Sequence, residues 1–267
     1  MTMRRVRGSD LTFNLPEDQD VVNVPVLRRI DPRYEYWLCE QAIRAPGAAG
    51  PMMGADVNGA SAAMTPTFQS GSPGPGGGDF GPCVSLTTGT TAAGRAHWGL
   101  GNGAIVHALN SFYELLYWRS CIAILDLSDA VEEYDVWFGF GDSSISAVPT
   151  DGLQFVYNRD GLGTNWFVQN RAAGAGAAVD TGVPVAPNSA HEFIVSWTPS
   201  GGVKYWYDGT VIANLTNNLP GPANVFGAGA GILKSAGISA RNFIVGYQEV
   251  YARWSTPRGL PLPPELT

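Results

Sequence analysis

Four residues of this chain combine hydrogen-bonding and stacking chemistry: Asp142, Asp151, Asn158 and Trp166. All four fall near the ends of segments that read as strands. Carboxylates and amides held on loops hydrogen-bond sugar hydroxyls, and an indole face stacks on a sugar ring. The same residue types also have structural uses, since Asp satisfies backbone groups in turns and Trp fills cores. Other spacings offer less. Cys39, Cys83 and Cys121 are an odd, widely spaced set without CxxC, and His97, His107 and His191 make no HExxH. That pattern argues against a disulfide framework and a zinc site. No dense Asp/Asn cluster is present for calcium, so no metal and no cofactor are expected. The glycine-rich stretches lack GxxxxGK[ST], and no GxSxG elbow occurs.

Loop residues of this kind need a rigid frame, and His191 to Thr216, HEFIVSWTPSGGVKYWYDGTVIANLT, supplies its clearest part. Phe193, Val195 and Trp197 share one strand face, as do Val203, Tyr205 and Tyr207, because successive strand side chains alternate. Lys204 and Trp206 project from the other face, where Trp206 suits packing on an arm, a second sheet or a partner subunit. Pro199-Ser200-Gly201-Gly202 marks one turn, and Asp208-Gly209 is the dipeptide of a type I′ hairpin. A meander with one apolar face requires a second sheet against it.

Composition agrees with a turn-rich β protein. Charged residues are 15% of 267, against 34 Gly and 19 Pro. Sixteen basic and 23 acidic residues give a net charge of −7, which disfavours nucleic acid as a partner. No apolar run approaches the roughly 20 residues of a membrane helix, so no membrane insertion is expected.

In chain order, residues 1–82 read as an extended N-terminal arm and Gly/Pro-rich linker. The arm carries an aromatic cluster, Tyr34, Tyr36 and Trp37, suited to contact with a partner, and one short helix is expected over 34–43. Strands are expected around Val84, Arg95, Ile105–Leu109, Tyr113–Trp118, Cys121–Leu127, Tyr134–Phe140, Leu153–Asn158 and Asn165–Gln169. Residues 172–178 and 220–237 read as Gly-rich loops. A long strand spans Asn242–Trp254, within a domain bounded at 83–255. A Pro-rich C-terminal tail occupies 256–267.

The segments VSLTTGTTAAGRA (84–96), VWFGFGD (136–142), DGLQFVY (151–157), HEFIVSW (191–197) and VKYWYDGTVIANL (203–215) resemble, in that order, the concanavalin A-like lectin/glucanase domain found in tailed-phage structural proteins. The resemblance implies an all-β, two-sheet antiparallel β-sandwich, a concanavalin A-like jelly roll with an extended N-terminal arm. Glucanases of this fold carry an E-x-D-x-(x)-E strand. Glu132-Glu133-Tyr134-Asp135 lacks that pattern, so the chain is not expected to be an enzyme. Within that resemblance, the long low-charge Gly/Ala/Pro arms and the lack of a repetitive shaft point to a capsid decoration or cement protein at the virion surface, assembled in the host cytoplasm. The expected partners are other virion proteins, the major capsid protein or tail proteins, in a homo-oligomer that is by analogy a trimer. The alternative is a tail-fibre or receptor-binding module that recognises a host cell-surface glycan through Asp142, Asp151, Asn158 and Trp166.

Overall fold

The computed structural model describes residues 35–41, 53–58, 60–68, 82–100, 108–110, 112–142, 149–157, 163–225 and 227–256. In chain order the first strands are β1 (Glu35–Gln41), β2 (Met53–Asn58), β3 (Ala63–Phe68), β4 (Pro82–Thr87) and β5 (Arg95–Leu100). Next come β6 (Tyr113–Ile124), β7 (Tyr134–Gly141), β8 (Gly152–Tyr157), β9 (Asn165–Arg171) and β10 (Val179–Pro184). The last are β11 (Ser189–Thr198), β12 (Gly202–Tyr207), β13 (Thr210–Leu215), β14 (Gly227–Lys234) and β15 (Asn242–Trp254). They form two antiparallel sheets packed face to face as a concanavalin A-like jelly roll. The eight-stranded sheet runs β13-β12-β11-β6-β15-β4-β3, with β1 also paired to β15. The seven-stranded sheet runs β10-β9-β8-β7-β14-β5-β2. Among the described residues no helix is long and apolar enough to cross a membrane.

The meander folds as its alternation requires. Phe193, Val195, Trp197, Val203 and Tyr205 are buried between the sheets, and Tyr207 packs on the same core. Asp208 and Gly209 take φ of 47° and 77°, the two positive values a type I′ turn needs. Phe138 of β7 is the hub opposite the meander. Its ring centroid lies 4.8 Å from Phe193, 5.3 Å from Phe155, 5.4 Å from Trp166 and 5.8 Å from Trp118. Edge-to-face and offset contacts of this kind each add about 0.5–1.5 kcal/mol to the burial itself.

Several elements differ from the sequence expectation. The helix expected over 34–43 is strand β1, paired from Glu35↔Arg253 to Gln41↔Tyr247. The reason is tertiary: β15 is 13 residues long, and β4 pairs only with its first part, Asn242 to Val245. The remaining edge recruits an aromatic-rich segment with strand propensity. Strands β2 and β3 likewise join β5 and β4, so parts of the region read as arm and linker complete the two sheets. The two runs at 113–118 and 121–127 are one strand, β6. The Gly-rich 220–237 contains β14, which sits between β7 and β5 near the middle of its sheet. The expected strand at 105–109 falls mostly on residues outside those described, as do Tyr34 and the tail beyond residue 256.

Candidate functional site

The register of the seven-stranded sheet lines up its outer face, the one turned away from the core, in rows. On β5, Ala96 and Trp98 are core, so Arg95, His97 and Gly99 point outward. The first row runs His97–Gly231–Trp137–Val156–Phe167 across β5, β14, β7, β8 and β9. The second runs Gly99–Gly229–Gly139–Gln154–Gln169 in the same strands. The third runs Gly227–Gly141–Gly152–Arg171 from β14 to β9. Strand β2 adds Gly54 and Asp56 at the register positions beside Gly99 and His97. Where most sheets raise side chains, this face has a glycine floor.

The floor lets large rings lie flat. A Cβ placed on Gly229 would stand 2.9 Å from His97 Nε2, and one on Gly231 would stand 2.6 Å from Trp137 Cζ2 and 2.9 Å from His97 Cδ2. The imidazole and the indole therefore rest on the glycines of β14. Their planes lie within 22° of each other with centroids 6.4 Å apart, which makes a nearly continuous platform. Trp137, Val156 and Phe167 form one apolar cluster joined by Ala178 and Leu233.

Polar groups interrupt this floor without being satisfied by it. Gln154 is 1% exposed; its Nε2 donates to Phe140 O at 3.4 Å, while its Oε1 is buried without a partner. His97 Nδ1 is also buried without a partner. Burial lowers the His97 pKa from its ordinary 6.5 to about 4, so the ring is neutral at physiological pH. A buried polar atom without a partner costs about 1–3 kcal/mol. Two on one face mark a place where an incoming group gains what the fold leaves unmade.

The third row ends at a rim of three loops. Asp142 Oδ1 accepts from Thr150 N at 2.8 Å, and Asp142 N donates to Asp151 O at 2.8 Å, closing the β7–β8 connection. Asp151 Oδ1 accepts from Ala173 N at 3.0 Å and from Asn224 Nδ2 at 2.8 Å, tying in the loops after β9 and before β14. Arg171 donates from its two terminal nitrogens to Pro149 O and Gly174 O, each at 2.7 Å. The rim is thus fixed by side chains before any ligand arrives.

The structure brings together two of the four ligand residues expected from sequence. Asp142 and Asp151 meet at the rim. Trp166 points between the two sheets, enclosed in the core against Phe138 and Phe193, and is corrected to a packing residue. Asn158 lies outside the described residues; in the chain it follows β8, whereas Asp151 precedes that strand. Trp206, expected at a partner contact, is 4% exposed within its own chain. It sits on the outer face of the eight-stranded sheet with Leu115, Tyr117, Ile194 and Tyr251, and donates to Ser196 Oγ at 3.3 Å. Tyr36 and Trp37 belong to β1. Glu132, in the segment nearest to a glucanase motif, spends its carboxylate on Ile238 N and Ser239 N at 3.1 and 2.9 Å. His97, Trp137, Gln154 and Asn224 do not stand out in the sequence as site residues. The signal that does bear on them is FGAGAGI, in which alanines alternate with glycines at period two: Ala228 and Ala230 face the core and Gly227, Gly229 and Gly231 the floor.

Comparison with known proteins supports the same frame. The chain is similar to the protein of unknown function SO2946 from Shewanella oneidensis MR-1, at 11% identity and TM-score 0.61, covering 85% of this chain and 90% of that one. It is similar to the carbohydrate recognition domain of Emp47p, at 12% identity and TM-score 0.52, covering 84% and 96%. It is similar to a native glycosidic hydrolase, at 12% identity and TM-score 0.50, covering 84% and 97%. No curated protein matches it in sequence. These likenesses correct two expectations. The assignment to capsid decoration gives way: the neighbours of this sandwich include a carbohydrate recognition domain and a glycosidic hydrolase. The expectation of no enzymatic activity gives way on the same ground, since the fold is shared with a hydrolase. Residues 79–245 match the family described as SO2946-like, C-terminal domain, and the chain belongs to that family.

Proposed function

We propose that this protein recognises a glycan on the outer face of its seven-stranded sheet. The observation that carries the reading is the flat His97–Trp137 platform on the glycines of β14. A pyranose presents an apolar C–H face and a girdle of hydroxyls. The platform supplies the stacking surface for the first; for the second, Gln154 Oε1 is an unpartnered acceptor, and His97 Nδ1 is another when the ring proton is on Nε2. The rim of Asp142, Asp151 and Asn224 adds polar groups already held in place, which lowers the ordering cost of binding. The carbohydrate-recognition neighbour supports the same reading at the level of the fold.

The test is a titration of soluble polysaccharides followed by tryptophan fluorescence and calorimetry, on the native chain and on Trp137→Ala. Loss of the stacking face is expected to weaken binding by about tenfold or more, in line with the roughly 1–3 kcal/mol of an aromatic stack. Unchanged affinity in a folded Trp137→Ala protein would remove the platform from the site.

A further inference from the structure

We propose that the edge strand β13 pairs with β13 of a second copy of this chain across a two-fold axis, joining two eight-stranded sheets into one. Among the described residues β13 is an end strand of its sheet, paired to β12 on one side only. It is open to solvent: Thr210, Val211 and Asn214 are exposed, Val211 at 36%. A bare edge offers a row of unspent backbone donors and acceptors to another strand.

Proteins guard such edges with charge, proline and irregular backbone. The end strand β10 of the other sheet has all three, with Asp180, Pro184, Gly182 at a φ of 69° and a register shift. Strand β3 carries Pro66 and β2 carries Asp56. Strand β13 reads TVIANL, and from Gly209 to Leu219 the chain has no charged residue and no proline. Although the net charge is −7, two copies meeting along this strand oppose no like charges on it.

The strand is also self-complementary. Trp206 pairs with Val211 and Tyr205 with Ala213, so Ile212 is the extra residue of a bulge. Val211 and Asn214, opposite Trp206 and Lys204, belong to the outer face. Ile212, Ala213 and Leu215 pack toward the core, and Thr210 stands opposite Tyr207 on that side. The order in, out, in, in, out, in is the same from either end. A two-fold axis between Ile212 and Ala213 sets Val211 beside the partner's Asn214, Ile212 beside the partner's Ala213 and Thr210 beside the partner's Leu215. Each pair shares a face, as antiparallel strands require. Without the bulge, a six-residue alternating strand on the same axis would set inward residues against outward ones. An isologous dimer needs this symmetry, and it makes a second copy the occupant of the edge.

The test combines sedimentation of the full chain over a range of concentrations with oxidation of the double variant V211C/N214C. Facing residues in such a pair lie about 4.5–5.5 Å apart at Cβ, within the movement a disulfide needs. Within one chain the two positions are three strand steps, or roughly 9–10 Å, apart and cannot bridge. The expected result is a dimer of the native chain and a reduction-sensitive covalent dimer of V211C/N214C, with neither single cysteine variant cross-linking. Val211→Lys, which brings a second cation into the row of the partner's Lys204, is expected to weaken the dimer by about tenfold. Thermal melts establish that the variants fold. A native chain that stays monomeric even at millimolar concentration overturns the proposal. So does a trimer, or a dimer that neither cross-links through V211C/N214C nor weakens in Val211→Lys.

Discussion

His97 shows how far a side chain's chemistry follows from its place. In the unfolded chain it titrates near 6.5, and in the fold burial holds it at about 4. Between those values the unfolded chain binds a proton that the folded chain refuses. Stability from this residue is therefore complete above about pH 6.5 and is lost as the pH falls toward 4. The full loss is on the order of 3 kcal/mol. Thermal denaturation from about pH 7 to about pH 4.5 is expected to lower the Tm of the native chain more than that of His97→Gln, which has no proton to gain there. Parallel curves for the two proteins would contradict the burial of a neutral imidazole. Nothing about His97 is legible in the sequence alone, where RAHWG reads only as the start of a strand. Its environment comes from β14, far along the chain, and from the outward glycines Gly229 and Gly231 of that strand. Asp142 and Asp151 are legible for a local reason: both adjoin strand ends in one hairpin, and short-range turn chemistry is what a sequence displays best.

At the scale of elements, β14 decides whether the site exists. Its inner residues, Ala228, Ala230 and Ile232, fill the core, and its outer glycines leave room for two rings. Gly231→Val would place a branched side chain where a single Cβ already comes within 2.6 Å of the indole, lifting Trp137 and His97 off the sheet. The expected outcome is about tenfold weaker glycan binding at a stability loss of only about 1–3 kcal/mol, read by calorimetry beside a melt. Full affinity in this variant would contradict the role of the flat platform. The strand is hard to see in the sequence because glycine is depleted in strands and common in loops, so composition outweighs the period-two pattern. Strand β1 is hidden for another reason: only the length of β15 shows that an edge remains to be filled. A register shift between Val245 and Gln248 conceals a further feature. Before it the odd residues Phe243 and Val245 face the core, and after it the even residues Val250 and Ala252 do. The central meander, with its uninterrupted alternation and its Asp208-Gly209 turn, is legible throughout.

At the scale of the molecule, the sandwich separates two tasks. The aromatic core around Phe138 holds the sheets together, and the outer face of the seven-stranded sheet is left to present chemistry. That face is not open. His97 is 8% exposed and Trp137 4%, so little more than the edges of the two rings reaches the surface. The measurement that tests the account most directly is hydrogen–deuterium exchange of the full chain, with and without a saturating soluble polysaccharide. The account predicts slowed exchange in β5, β7, β8 and β14 and at the rim around Asp151 and Asn224, with the eight-stranded sheet unchanged. Protection confined to the eight-stranded sheet, or protection nowhere with any polymer, would contradict it.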